Sequence, residues 1–128
     1  LGPRLTFMRH HVDFTLARRA VLRDLRSGRR ARIDVCDAHA ELLRAGRNLG
    51  TPGAGDCPVC AEDKLRVVSY VYGDQLRRAN GRCISSTAEL EKLEARHSEF
   101  WRYLVEVCVG CGWNHLLRRE LHGQRYAG

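Results

Sequence analysis

Cys57-Pro-Val-Cys60 and Cys108-Val-Gly-Cys111 are the two stretches on which the fold turns. Each sets two thiols three positions apart, so that a tight turn brings both sulfurs to one side. Such a pair reaches one metal ion at about 2.3 Å, and two pairs complete a tetrahedron. Pro58 stiffens the first turn, while Gly110 and Gly112 free the backbone around the second. A strand-like segment lies beside each pair: residues 65–72, rich in Val and Tyr, and residues 101–107. The expectation is a zinc ribbon, a small antiparallel sheet joining two knuckles, with one zinc ion held by Cys57, Cys60, Cys108 and Cys111.

Other chemistries use the same residues. Two disulfides need an oxidising compartment, and the first twenty residues hold no secretory apolar core. A thioredoxin-like redox pair opens a helix after a strand, whereas Cys57 follows a loop and Cys108 ends a strand. An iron–sulfur cluster shares the ligand set, and spacing does not separate it from zinc. His39-Ala-Glu41 followed by Cys57-Pro-Val-Cys60 imitates a zinc deaminase, with His39, Cys57 and Cys60 as ligands and Glu41 as proton shuttle. That pattern wants its proline before the cysteines, and it leaves Cys108 and Cys111 over. Four thiolates leave no open position for water, so the expected zinc is structural and the chain non-catalytic. No GxSxG, P-loop, HExxH or dinucleotide fingerprint occurs.

Forty-seven residues separate Cys60 from Cys108, more than a minimal ribbon needs. Ser86-Thr-Ala-Glu89 forms a capping box and starts a helix over residues 86–97. Leu90, Leu93 and Phe100 have core-like spacing there, while Glu89, Glu91, Lys92, Glu94 and Arg96 read as solvated. Residues 75–84 carry no clear signal, and residues 113–121 read as a strand or short helix. Cys36 and Cys83 are expected as free core thiols, His115 as structural or exposed, and His10, His11 and His39 as exposed. Tyr70, Tyr72, Trp101, Tyr103 and Trp113 are expected mainly as core; exposed on a basic ribbon they would stack on bases.

Upstream, residues 10–32 are helix-periodic. Phe14, Ala17, Val21, Leu22 and Leu25 fall on one side, Arg19, Arg23, Arg26 and Arg30 on the other, and Gly28 ends the run. A second helix is expected over residues 37–49, capped by Asp37 and stopped by Gly50. The Pro/Gly cluster Thr51–Asp56 reads as a boundary. The architecture is therefore α+β: a basic N-terminal helical hairpin over residues 8–50, then a zinc ribbon over 57–122 with an inserted helix. Met8 reads as a candidate start, with residues 1–7 an upstream extension.

The chain has 128 residues, 44% hydrophobic and 29% charged, with a net charge of +7. No apolar run approaches the roughly 18 residues of a membrane span. The charge excess lies in residues 1–32, where nine Arg face only Asp13 and Asp24. A GC-rich genome accounts for Arg replacing Lys but not for this clustering. Guanidinium forks suit phosphate, so the expected partner is nucleic acid or a ribonucleoprotein machine of transcription or translation. The contacting residues would be Arg19, Arg23, Arg26, Arg29, Arg30 and Arg32, in a cytoplasmic accessory protein. The alternative is a protein–protein adaptor docking on RNA polymerase or another large complex.

Four segments carry a family likeness: residues 35–50, Cys57-Pro-Val-Cys60, Val68-Ser-Tyr-Val-Tyr-Gly-Asp-Gln-Leu76, and residues 105–116 ending Cys-Gly-Trp-Asn-His-Leu. Together they resemble a small actinobacterial zinc-ribbon-containing family of unknown function, over about residues 8–121. The resemblance implies a cytosolic setting and a zinc site, and no reaction.

Overall fold

The computed structural model describes residues 8–123; residues 1–7 and 124–128 lie outside the described residues. Two long strands make its centre. β3 (Lys64–Tyr72) and β5 (Phe100–Val107) pair antiparallel, from Arg66 opposite Val107 to Tyr72 opposite Trp101. β6 (Asn114–His122) adds to the far side of β5, and β1 (His10–Asp13) adds to β6. On the other flank β2 (Thr51–Asp56) and the short β4 (Cys83–Ile84) both pair with β3. The helices are α1 (Thr15–Arg26), α2 (Arg32–Val35), α3 (Ala40–Leu49) and α4 (Thr87–Arg96). A 3-10 segment, Asp74–Ala79, follows β3. The described residues thus form an α+β protein built on one antiparallel sheet of six strands.

Several elements match their sequence signals. Ser86 caps α4 by accepting a hydrogen bond from the Glu89 N–H, and Leu90 and Phe100 are buried. Residues 113–121, expected as a strand or short helix, resolve to the strand β6 from Asn114 on. Four expectations need correction. Residues 10–13 are strand, not helix: Arg9 N–H donates to Leu121 O and Phe14 N–H to Leu117 O, so the polar edge is held by the neighbouring ladder. Thr51–Asp56, read as a boundary, is an edge strand, where a proline such as Pro52 is tolerated. The N-cap of α3 is His39, because Asp37 instead accepts from the Asn114 side chain at 3.0 Å. The two N-terminal helices also do not pair as a hairpin. Arg18 of α1 bonds Glu106, while Gly46 of α3 lies against Val107. Consecutive strand residues face opposite ways, so α1 and α3 lie on opposite faces of the sheet.

The core has two centres at the two ends of β3 and β5. Leu22, Val35, Cys57, Leu65, Cys108 and Trp113 form the first. Val71, Leu76, Ile84, Leu90 and Phe100 form the second.

A candidate four-cysteine metal centre

The loop before β3 and the loop between β5 and β6 meet at the first core centre because β3 and β5 run antiparallel. Cys57 accepts N–H groups from Val59 and Cys60, Cys108 accepts one from Cys111, and Cys111 accepts one from Trp113, all at 3.4–3.5 Å. Donors aimed at sulfur favour the thiolate and fix its direction. A Cβ at Gly110 would meet Asp63 Oδ2 at 1.6 Å, so a larger residue there would turn the Asp63 side chain away. Gly112 has φ +90, with Cys36 O 2.9 Å from where a Cβ would sit.

The four sulfurs of Cys57, Cys60, Cys108 and Cys111 lie within 4.8 Å of one another. Cys57 to Cys111 and Cys60 to Cys108 are both 3.7 Å. A tetrahedron with arms of about 2.3 Å has edges of about 3.8 Å, so the thiols fit a metal ion at their centre. Burial pushes the Cys57, Cys108 and Cys111 thiols up, Cys111 to about 12. The N–H groups of Glu62 and Asp63 draw Cys60 down to about 7. Bound metal would ionise all four.

Cys36 is the residue sequence reasoning missed. It was expected as a bystander of the core, yet its thiol donates to Cys111 Sγ at 3.5 Å. Ala38 N–H to Gly112 O and the Asn114–Asp37 bond stitch the same segment to the second knuckle. A lone cysteine 21 positions before Cys57 offers no local pattern to find it by. Behind the knuckles, Glu106 Oε2 accepts from Arg18 Nε and from Trp113 Nε1, both at 2.8 Å, tying α1 and the buried indole to β5. His115 stacks on Trp113 and its Nδ1 lies 2.8 Å from Leu116 O. Cys83 is half-buried in β4 opposite Tyr70. His39 and Glu41 are exposed at the start of α3 and are not part of the thiol group.

The six candidate arginines are all exposed. Arg19, Arg23 and Arg26 lie on the outward side of α1, while Leu22 is buried and Val21 and Leu25 pack on the core. The other three are engaged. Arg29 and Arg30 face Asp24 at 4.0 and 3.6 Å. The side chain of Cys36 beside it raises the pKa of Arg32, so Arg32 belongs to the surroundings of the thiols. Of the five aromatic residues expected as core, only Trp113 is fully buried, and Tyr72 is 42% exposed.

An α+β sheet protein with a partly buried cluster of four thiols able to hold a metal ion is the class these features define. The chain belongs to the family of unknown function DUF5318, whose model matches residues 5–127. It is 41% identical over 112 residues to uncharacterized proteins of Mycobacterium tuberculosis and Mycobacterium bovis, covering 88% of this chain and 81% of each relative. No solved structure matches. Among the described residues no helix is long and apolar enough to cross a membrane.

Proposed function

We propose that Cys57, Cys60, Cys108 and Cys111 hold one structural zinc ion in a zinc ribbon, and that the protein is a non-catalytic cytoplasmic accessory factor binding nucleic acid. The observation that carries the binding reading is the row Arg19, Arg23 and Arg26. All three are exposed on one side of α1, and none is in an ion pair among the described residues. Cations left without counter-charge on a rigid helix are suited to a phosphate backbone. The closed sulfur tetrahedron favours a structural over a catalytic metal, because it leaves no position for water or substrate.

X-ray absorption on the zinc-loaded protein should show four sulfurs at about 2.3 Å. A nitrogen or oxygen in that sphere would favour deaminase or hydrolase chemistry instead. RNA affinity should fall steeply between 50 and 200 mM salt, and Arg19→Glu/Arg23→Glu/Arg26→Glu should flatten that slope. Leu16 on α1 and Ile33 on α2, 76% and 80% exposed, favour a second reading as a protein adaptor. Partner capture that survives nuclease and is lost in Leu16→Ser/Ile33→Ser would select the adaptor.

A further inference from the structure

At the other end of the sheet the 3-10 segment and α4 wall an open pocket of about 970 Å³. Nine residues of β3, at about 3.4 Å each, put it on the order of 30 Å from the thiols. Five cations line it: Arg77, Arg78 and Arg82 on one wall, Lys92 and Arg96 on the other. All five are exposed, and none is in an ion pair among the described residues. Several cations elsewhere are paired, Arg18 with Glu106, Lys64 with Asp56, and Arg102 and Arg118 with Glu120. The one carboxylate lining the pocket, Glu89, is committed: its Oε1 accepts both the N–H and the hydroxyl of Ser85. Arg77 is held at φ +51, ψ −109, a conformation that costs energy and concentrates at ligand sites.

Around the sheet edge from the pocket, on the face opposite Val71 and α4, lies an aromatic surface. Tyr72, the last residue of β3, is half-exposed, and its ring meets Tyr103 edge-on at 5.2 Å. The same ring lies 3.7 Å from the position of a Cβ on Gly81, a residue of the pocket wall. A row of uncompensated cations next to accessible rings is the arrangement that grips phosphates while stacking bases. We infer that this pocket takes the phosphates of a single-stranded nucleic acid that passes over the sheet edge at Gly81, with Tyr72 and Tyr103 stacking on its bases. The inference rests on the nucleic-acid reading above and places a second contact far from α1.

The test uses the zinc-loaded full chain and a fluorescein-labelled eight-nucleotide RNA. Two variants change opposite walls: Arg77→Glu/Arg78→Glu/Arg82→Glu, and Lys92→Glu/Arg96→Glu, the latter on an exposed helix face. Circular dichroism and zinc content confirm folding. Each should weaken binding at least tenfold and lower the salt slope, by about 2 and about 1.4 respectively. Tyr72→Ala should weaken it about fivefold or more. Unchanged affinity in both wall variants overturns the inference and leaves the nucleic-acid reading standing. Displacement of the RNA by equimolar tripolyphosphate or ATP overturns the strand assignment in favour of a free polyphosphate. Failure of the wild type to bind any RNA, short or long, overturns both.

Discussion

Glu120 is nearly fully buried and accepts hydrogen bonds from Arg102 and Arg118. Its Oε1 lies 2.6 Å from His122 Nε2, and His122 Nδ1 reaches Glu94 on α4 at 2.9 Å. Burial pushes the Glu120 carboxyl up, but the hydrogen bonds with His122 and Arg118 and the charges of Arg102 and Arg118 outweigh it, holding it at about 2 against an ordinary 4.5. A carboxyl depressed by folding stabilises the native state above its unfolded pKa and loses that stabilisation as pH falls through its folded one. Glu120→Gln should therefore cost on the order of 3 kcal/mol at pH 6, and the gap to wild type should shrink between about pH 4.5 and 2. Proton competition for the thiols affects both proteins alike, so the difference in urea midpoints isolates the carboxylate. A gap as wide at pH 3 as at pH 6 would refute the assignment. Little of this network was legible in the sequence. Glu94 was expected in solvent, yet it lies four positions from buried Leu90 on the inward face of α4, fully buried against His122. A charge at a core-facing position is readable only once its partner strand is known.

The elements that announced themselves did so through local chemistry. β3 and β5 are long runs of β-branched and aromatic residues, and α4 begins with a capping box. β1 and β2 carry no such signal, because His10-His11 and Pro52-Gly53 become strands only by completing another strand's ladder. α3 was visible from its apolar period, but its position was not. Arg66 of β3 donates to the carbonyls of Gly46 and Gly50, closing the C-terminal end of α3. Gly46 is the point of contact: a Cβ there would lie 2.9 Å from Val107 Cγ1 and 3.2 Å from Val109 Cγ2. Gly46→Ala would gain about 1 kcal/mol of helix propensity. Both neighbours are stiff β-branched side chains, and forcing them apart costs about 1–3 kcal/mol. The expected net is a destabilisation of about 1 kcal/mol, read as a drop in thermal midpoint. A rise in midpoint would show that α3 can lift from the sheet without penalty.

Across the whole molecule the two core centres depend on different supports. The second holds no cysteine and closes against the buried Glu94–His122–Glu120 network, whereas Cys57 and Cys108 belong to the first. A metal bound there would join residues 57–60 to 108–111 and remove the entropy of the long intervening loop. The two tryptophans report on the two regions: Trp113 is buried beside Cys111, and Trp101 is half-buried beneath Arg119. Removing zinc from a Trp101→Phe variant with a strong chelator should red-shift the Trp113 emission and lower the thermal midpoint by 10 °C or more, since structural zinc contributes folding free energy outright. A midpoint unchanged by chelation would exclude a structural metal. The two CxxC pairs made the site legible, while its fifth sulfur, Cys36, came only with the fold. The pairing of β1 with β6 reaches furthest along the chain, setting His10 opposite Leu121. On a ribosome adding about 5–20 residues per second, β1 waits roughly 6–22 s for the strand it must join. For much of that interval, between residues 60 and 108, the first knuckle exists without the second. The sheet therefore closes only when its last described strand is made, and synthesis halted before Asn114 would leave β1 and β5 as open edges for another chain to pair with.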